Sequence, residues 1–247
     1  MPDDEPVEIG ESDLEPDLDG PARVSPMRAW LVGVCVAGLV LLAGLAVWAA
    51  FVGVGPAEAD TAALQDAIAT RTPGLTTAAI LITTVGSTVA MAVLAAAVAA
   101  ALWARGRPID AAFLVLTTAS ASLLFRGLKI VFDRPRPPVA TRLVVETNES
   151  LPSGHATMSM IVIGALVLLS WAGRSTATRV LAVLAAVAWV GLVGATRIYL
   201  GVHWFSDVVA GWAVGAAWLT LCALLWRWWL GRSVGADPAQ VSGSDGR

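Results

Sequence analysis

The sequence predicts an all-α membrane protein, a bundle of six transmembrane helices. Hydrophobic residues make up 57% of the 247 residues and charged residues only 14%, and the mean hydropathy is +0.72. Soluble domains carry about a quarter charged residues, so this chain has too few charges for a soluble globule. The apolar residues also occur in runs that approach or exceed the length of about 20 residues that a helix needs to cross a bilayer.

Residues 1–27 precede the first apolar run and contain nine acidic residues, several prolines and few large apolar residues. Such a segment buries too little apolar surface to offset its ordering entropy, so it is predicted to be a disordered tail. It lacks the basic start of a secretory signal, and the first apolar run is expected to remain as a membrane anchor. The transmembrane domain is predicted over residues 28–232, followed by a second disordered tail at residues 233–247.

Six apolar segments are predicted to span the membrane as helices, because lipid offers no partners for free backbone polar groups. They lie at about Ala29 to Val54, Thr76 to Trp103, Ala111 to Ile130, His155 to Trp171, Val180 to Leu200 and Ser206 to Leu230. The fourth segment is the shortest. Tryptophan residues lie near many of the predicted ends, as is typical of membrane interfaces.

Basic residues predict the orientation of the bundle, because cytoplasmic loops carry an excess of Lys and Arg. Four pairs fall on one side of the six spans: Arg23 and Arg28, Arg105 and Arg107, Arg174 and Arg179, Arg227 and Arg232. Both termini are therefore predicted to be cytoplasmic, at the plasma membrane. A second group breaks this rule on the extracytoplasmic side: Arg126, Lys129, Arg134, Arg136 and Arg142. Charges at a membrane edge that do not serve orientation indicate a functional site.

The composition argues against several other classes of protein. Cys35 and Cys222 lie far apart inside apolar runs, which disfavours a disulfide framework or a thiolate metal site. The net charge is only -3, with no block of Lys and Arg on a polar segment, which disfavours nucleic-acid binding. No isolated acidic cluster is suited to Mg²⁺. No metal and no other cofactor is expected.

Three short stretches at the extracytoplasmic ends of spans three to six contain both histidines of the chain. They are KIVFDRPRP at 129–137, PSGH at 152–155 and TRIYLGVHWFSD at 196–207. Three cations in them, Lys129, Arg136 and Arg197, suit the binding of phosphate oxygens. Ser153 and Gly154 precede span four, where a hydroxyl and the free backbone N–H groups of a helix N-terminus can point at the same anion.

His203 and Asp207 are four residues apart and would share one face of a helix. A carboxylate that accepts one ring N–H fixes the tautomer and leaves the other nitrogen free as a nucleophile. His155 is then the natural general acid for a leaving alkoxide. Arg134 is a further cation, which either contacts the substrate or pairs with Asp133.

Taken together, these residues resemble the signature motifs of the type 2 phosphatidic acid phosphatase superfamily. Lys129, Arg136 and Pro137 match KxxxxxxRP, and residues 152–155 match PSGH. Residues 196–207 match SRxxxxxHxxxD except that Thr196 replaces the usual Ser, which keeps the hydroxyl but puts its contact with phosphate in question. The resemblance covers roughly residues 111–215.

The resemblance implies a catalytic assignment. His203 would attack phosphorus to form a phosphohistidine, Asp207 would orient it, and His155 would protonate the leaving group. The residues implied in binding the phosphoryl oxygens are Lys129, Arg136, Ser153, Gly154 and Arg197. Water would then hydrolyse the intermediate, and no metal would be needed.

The leading hypothesis from the sequence is a membrane lipid phosphatase that acts on a lipid phosphate in the bilayer, of the undecaprenyl diphosphate or phosphatidate type. Transfer of the phosphoryl group to an alcohol or lipid acceptor stays open, because sequence does not separate transfer from hydrolysis. A vanadate-dependent haloperoxidase, which uses a similar pocket, is disfavoured by the six apolar spans. An anion transporter would have charges through the depth of the bundle or internal repeats, and neither is found. Gly211 and Gly215 form a GxxxG motif that serves either packing within the bundle or a homodimer.

Overall fold

The computed structural model describes residues 26–234, with side-chain surroundings for residues 37, 38, 40–55 and 57–230. Within residues 26–234 the chain forms eight α-helices and two short 3-10 helices, with no β-strand. The α-helices are α1 (Pro26–Val52), α2 (Asp60–Ala69), α3 (Pro73–Val85), α4 (Thr88–Ala104), α5 (Pro108–Phe132), α6 (Gly154–Leu169), α7 (Thr176–Tyr199) and α8 (Phe205–Val234). The 3-10 helices are Gly55–Ala59 and Val139–Thr141. The tails predicted at 1–27 and 233–247 lie outside the described residues, apart from the first residues of α1 and the last of α8.

In the described part of the chain, three helices are long and apolar enough to cross a membrane: α5, α7 and the Phe205–Leu230 portion of α8. Two bent helix pairs bring the number of candidate spans to as many as five. In one pair α3 meets α4 at 44°, and in the other Val40–Val52 meets Ala57–Ala69 at 41°. Helix α6 is a shorter apolar helix of 16 residues. The described part of the chain is thus all-helical, with three to five candidate membrane spans.

The span predicted from Thr76 to Trp103 consists of two helices rather than one, because the chain bends between α3 and α4, and the bent pair is a candidate span as a whole. At the bend, a Cβ on Gly86 would lie 2.4 Å from Val193 Cγ2, so the glycine permits close contact with α7. Ser87 then starts α4 as its N-cap, and its hydroxyl accepts the N–H of Ala90 at 3.1 Å. The segment between the first two predicted spans also contains α2, which the hydropathy pattern does not reveal.

Helix α6 lies at the centre of the bundle, where it packs against α4, α5, α7 and α8. Two glycines of α8 allow close approach to it. A Cβ on Gly211 would lie 2.8 Å from the Ser153 carbonyl oxygen, and one on Gly215 would lie 3.0 Å from Met160 Cβ. The GxxxG motif therefore serves helix packing within the bundle.

The outer surfaces of the long helices are apolar. In the apolar 18-residue stretch of each of these helices, the share buried inside the protein is only 39% for α5, 28% for α7 and 39% for α8. Large apolar side chains on these helices point outward, among them Leu116, Leu123 and Leu184. Contiguous apolar surface of this kind marks a membrane interaction site.

The three sequence motifs meet at one end of the bundle, which we call the motif end. Helices α5 and α7 finish there, and α6 and α8 begin there. Backbone hydrogen bonds link the connecting segments: Ser153 N–H donates to the Asp207 carbonyl at 3.0 Å, and Leu143 N–H donates to the Leu200 carbonyl at 2.9 Å. The segment that contains α2 also reaches this end, since Arg71 donates to the Tyr199 carbonyl at 2.8 Å.

Candidate active site

The candidate nucleophile and its orienting carboxylate lie where α8 begins. His203 is in the turn before α8 and Asp207 is in its first turn. Their side chains are 2% and 0% exposed, and His203 Nδ1 lies 3.4 Å from Asp207 Oδ2. The same carboxylate oxygen accepts the backbone N–H of Trp204 at 2.9 Å and the hydroxyl of Ser150. These partners assign the ring proton to Nδ1 and leave Nε2 with a lone pair.

Arg136 lies against that lone pair, with its Nη1 at 3.0 Å from His203 Nε2. Backbone carbonyls fix the guanidinium, because Nη1 donates to Val202 at 2.5 Å and Nε donates to Asn148 at 2.6 Å. Burial lowers the pKa of Arg136 to about 10, so the side chain stays cationic at neutral pH. The structure thus holds a permanent positive charge beside the nitrogen that would attack phosphorus.

The surroundings of His203 favour its neutral form. Burial lowers the pKa of His203 well below 6.5, and the positive charges of Arg136, Arg197 and Lys129 lower it further. A neutral imidazole carries the lone pair that a nucleophile needs. The ring is therefore ready for attack at neutral pH without losing a proton first.

Lys129 and Arg197 bring two further cations to the motif end. Lys129 lies in the last turn of α5, is buried, and donates to the carbonyls of Glu149 and Ser150, the latter at 3.3 Å. Arg197 lies in the last turn of α7 and is 1% exposed. Its Nη1 donates to Thr83 Oγ1 at 2.8 Å.

Glu146 supplies a carboxylate that lies between two of these cations. It pairs closely with Arg197 Nη2, and its Oε2 is 3.9 Å from Arg136 Nη2. The two guanidinium groups are therefore already arranged around an oxyanion, which is the arrangement that binds phosphate.

Two buried polar atoms at the motif end, Ser153 Oγ and Arg197 Nε, have no hydrogen-bond partner among the residues that the structure describes. Ser153 occupies the N-cap position of α6, yet its hydroxyl makes no capping bond. Buried polar groups without partners are rare and costly. Both residues are among those predicted to bind phosphoryl oxygens, which are the acceptors that a hydroxyl and a guanidinium N–H require.

His155 and Gly154 form the first turn of α6. His155 is half-buried and lies within electrostatic range of Arg197, Arg136 and Lys129, as well as of His203. A Cβ at Gly154 would lie 3.0 Å from Phe125 Cε2, so a larger residue would displace that ring. The first-turn N–H groups have no partner within the helix and are free to meet an anion.

The structure therefore brings all eight predicted site residues to the motif end. Beyond them, sequence reasoning missed the contacts of Arg134, which pairs with Asp60 and Asp207 rather than with Asp133. It also missed the carboxylate of Glu146 and the hydroxyl of Ser150. In the sequence, Asp60, Glu146 and Ser150 are single acidic or hydroxyl residues, most of them in polar connecting segments, and no motif marks them as part of a site.

Thr196, the departure from the family motif, faces its own helix. Its hydroxyl donates to the Val193 carbonyl at 2.6 Å, and the residue is buried. The hydroxyl is therefore already engaged in α7.

In the residues that the structure describes, no group of three or more His, Cys, Asp or Glu side chains could hold a metal ion. Lys129, Arg136 and Arg197 are cationic and are not metal ligands. That no metal takes part in the reaction stays a prediction.

An all-helical membrane protein with a buried His–Asp pair among fixed cations is the class expected to act on phosphoryl groups, and comparisons with known proteins agree. Residues 110–231 match the model of the PAP2 superfamily. The chain is 31% identical over 161 residues to phosphatidylglycerophosphatase B of Bacillus subtilis, covering 64% of this chain and 78% of that protein. It is 37% identical over 116 residues to undecaprenyl-diphosphatase of Sulfolobus acidocaldarius, covering 45% of this chain and 52% of that protein.

Solved structures show the same fold. The crystal structure of a transmembrane PAP2 type phosphatidylglycerolphosphate phosphatase from Bacillus subtilis matches with a TM-score of 0.65 at 25% identity, covering 83% of this chain and 98% of that one. Aquifex aeolicus LpxE matches with a TM-score of 0.52 at 23% identity, covering 68% of this chain and 94% of that one. The chain belongs to the PAP2 superfamily, which confirms the predicted resemblance, and it is a membrane phosphatase.

Proposed function

We propose that this protein is a lipid phosphatase that removes phosphate from a lipid phosphomonoester or diphosphate through a phosphohistidine at His203. One observation carries the proposal: His203 Nδ1 faces Asp207, while Nε2 faces the guanidinium of Arg136. The names of the two relatives, phosphatidylglycerophosphatase B and undecaprenyl-diphosphatase, support a lipid substrate.

The reaction has two steps at this site. In the first, Nε2 of His203 attacks phosphorus, the bond from phosphorus to the lipid oxygen breaks, and His155 gives that oxygen a proton. Asp207 keeps Nδ1–H in place and stabilises the positive ring that forms. In the second step, His155 takes a proton from water, the water oxygen attacks phosphorus, and the phosphorus–nitrogen bond breaks to release inorganic phosphate.

The cations lower the barrier by meeting the charge that develops on the phosphoryl oxygens. Backbone carbonyls and the Thr83 hydroxyl hold Lys129, Arg136 and Arg197 in place, so once the substrate is bound these cations need little reorganisation when the charge appears. Ser153 Oγ and the first-turn N–H groups of α6, including that of Gly154, add neutral donors. The incoming phosphoryl group would take the place of the Glu146 carboxylate between Arg136 and Arg197.

The substrate is proposed as a class rather than as one lipid. Phosphatidylglycerophosphate, phosphatidate and undecaprenyl diphosphate all present a phosphoryl group to the membrane surface while their chains stay in the bilayer. The residues that bind phosphate do not distinguish these lipids, because they contact only the group that the lipids share.

The membrane arrangement follows the proposed function. We propose six spans formed by α1, the bent pair α3 and α4, α5, α6, α7 and α8. Both termini would then lie in the cytoplasm and the motif end outside the plasma membrane, in a domain of residues 28–232 between two disordered tails. The paired arginines near one end of the bundle support this orientation.

The test is release of inorganic phosphate by the purified protein in chelator from the three lipid classes. We expect activity on at least one of them, and loss of activity on replacing His203 with Ala. Thr196→Ser is the matched control, because it restores the family residue without changing a group that faces phosphate, and it should keep wild-type activity. Acid-labile phosphate on the wild-type chain, absent from the His203→Ala chain, would identify the intermediate.

Two results would contradict the proposal. One is a folded wild-type protein that releases no phosphate from any lipid phosphate, and the other is full activity in His203→Ala. Added alcohol acceptors separate hydrolysis from transfer, since a phosphorylated alcohol in place of inorganic phosphate would show a transferase.

A further inference from the structure

Asp60 is a buried carboxylate that lies outside the matched family region and far in sequence from the three motifs. It is the first residue of α2 and is only 5% exposed. Its Oδ1 accepts the backbone N–H of Ser206 at 2.8 Å, and its Oδ2 accepts the Ser206 hydroxyl at 2.7 Å. The same Oδ2 lies 2.8 Å from Arg134 Nη2. Burying a charge is costly unless it is paired and hydrogen-bonded, and both carboxylate oxygens of Asp60 have such partners.

The first consequence of these contacts concerns the start of α8. The N–H groups of a first helical turn have no partner within the helix, and a negative charge is stabilising there. Asp60 provides that charge from a different part of the chain, because Ser206 is the second residue of α8. Asp207 is the next residue, so the contact fixes the backbone that carries the carboxylate facing His203.

The second consequence is electrostatic and passes through Arg134. This guanidinium bridges two carboxylates, with Nη2 on Asp60 and Nη1 at 2.5 Å from Asp207 Oδ1. Two negative charges share one positive charge, so Arg134 does not fully neutralise Asp207. The remaining negative charge on Asp207 Oδ2 faces the ring N–H of His203.

We infer that Asp60 is a positioning residue for His203, acting through Arg134 and the first turn of α8 to fix the place and the charge of Asp207. This inference rests on the proposed role of His203 as nucleophile. The hydrogen bonds of Asp60 go to Arg134 and Ser206 and not to His203 or to the residues proposed to bind phosphate, so Asp60 acts on the reaction through Arg134 and Ser206.

The inference predicts a specific kinetic change when Asp60 loses its charge. In Asp60→Asn, Arg134 would pair with Asp207 alone and draw negative charge from the oxygen that faces His203. The imidazole would become a poorer nucleophile, and its positive phosphorylated form would be less stabilised. We expect kcat to fall at least about tenfold, because the loss of a hydrogen bond to a charged group typically changes a rate or an equilibrium constant by about that factor or more. KM should stay within about twofold, and so should inhibition by inorganic phosphate.

Ser206→Ala is the matched control. It removes the hydroxyl that bonds both Asp60 and Arg134, but it leaves the ion pairs from Arg134 to the two carboxylates. The charge of Asp60 and its bond to the Ser206 backbone N–H both remain in Ser206→Ala. If Asp60 acts through its charge, kcat therefore falls less in Ser206→Ala than in Asp60→Asn for the same loss of melting temperature. If Asp60 serves only the stability of this end of the bundle, kcat of both variants falls in proportion to their loss of melting temperature, and the inference is wrong.

The experiment measures kcat, KM, the rate of phosphoenzyme formation and the melting temperature for the full chain in detergent. The inference is supported if folded Asp60→Asn forms the phosphoenzyme more slowly than wild type while inhibition by inorganic phosphate is unchanged. It is overturned if Asp60→Asn forms the phosphoenzyme at the wild-type rate. Should Asp60→Asn fail to fold, Arg134→Lys tests the bridge between the two carboxylates, because one ammonium group cannot replace the two-nitrogen contact. Wild-type kcat in that variant would show that the bridge does not affect His203 and would overturn the inference.

These results are separable from a failure of the proposed function. Wild-type and His203→Ala proteins in the same assay test the nucleophile directly. An inactive wild-type protein contradicts the phosphatase itself, whereas an active wild-type protein, an inactive His203→Ala and a fully active Asp60→Asn contradict only the role of Asp60.

Discussion

The two nitrogens of His203 meet opposite charges. Asp207 lies at Nδ1 and Arg136 at Nε2, so the ring is oriented by a carboxylate on one side and kept unprotonated by a guanidinium on the other. Arg136 is also one of the proposed phosphate ligands, so it marks where a phosphoryl oxygen would arrive. Under that proposal, one residue would keep the nucleophile unprotonated before the substrate binds and would bind the substrate afterwards.

The lowered pKa of His203 predicts how stability depends on pH. In the unfolded chain this histidine takes up a proton as the pH falls through about 6.5, whereas the buried folded residue stays neutral. The unfolded state then binds more protons, so the unfolding free energy falls as the pH drops below about 6.5, by at most about 1.4 kcal/mol per pH unit from this residue. Above that pH the contribution is constant.

The measurement is the melting temperature in detergent between about pH 7.5 and about pH 5.5. We expect the wild-type melting temperature to fall relative to that of His203→Gln as the medium becomes more acidic, because glutamine does not titrate. A difference between the two proteins that does not change with pH would show that the folded histidine takes up its proton as readily as the unfolded one.

At the scale of the helices, glycine contacts set the distance between the two elements that carry the motifs. Helix α8 approaches α6 at Gly211, where a Cβ would lie 2.8 Å from the Ser153 carbonyl and 3.0 Å from Ala156 Cβ. The Ser153 hydroxyl is one of the proposed phosphate ligands. The packing of α6 on α8 therefore also fixes the geometry of the site.

Gly211→Ala is predicted to destabilise the protein and to lower its activity. The added methyl group must push α6 away from α8, and overpacking of this kind costs about 1–3 kcal/mol. The matched control is Gly191→Ala in α7, where a Cβ meets nothing within 4 Å. The control should be neutral or slightly stabilising, because alanine favours a helix over glycine. Melting temperature and phosphate release test both variants, and equal effects of the two would contradict the packing argument.

The helices also show what the sequence could and could not predict. Hydropathy placed α5, α6, α7 and α8 to within a few residues, because each is one apolar run bounded by polar residues. It missed the bend at Gly86, which depends on a contact with Val193 in a distant helix. It missed α2 as well, a short helix without a long apolar run.

The same distinction holds for the site. Residues with chemically distinctive types at fixed spacings, such as His203 and Asp207, were predictable. Glu146 and Asp60 were not, because ordinary carboxylates in polar segments acquire a role only when folding brings them to Arg197 and Arg134.

At the scale of the whole molecule, the charges at the two ends of the bundle have different surroundings. At the motif end the cations are largely engaged by the protein itself: Arg134 by two carboxylates, Arg197 by Glu146, and Arg142 by the Pro137 carbonyl. Arg105 and Arg174 at the opposite end are exposed. A cation that is paired inside the protein adds little to the charge bias that sets orientation. The end of the bundle with exposed arginines should therefore decide which side faces the cytoplasm.

This argument predicts which loops a reagent can reach from outside the cell. In a chain with Cys35 and Cys222 replaced by Ala, we would introduce one cysteine at Thr147, exposed at the motif end, or at Ala172, exposed between α6 and α7. A membrane-impermeant maleimide should label Thr147→Cys in intact cells and Ala172→Cys only after the membrane is opened. Each variant is the control for the other, provided both release phosphate at wild-type rates. The reverse labelling would place the paired arginines outside and the proposed site in the cytoplasm, and would overturn the orientation.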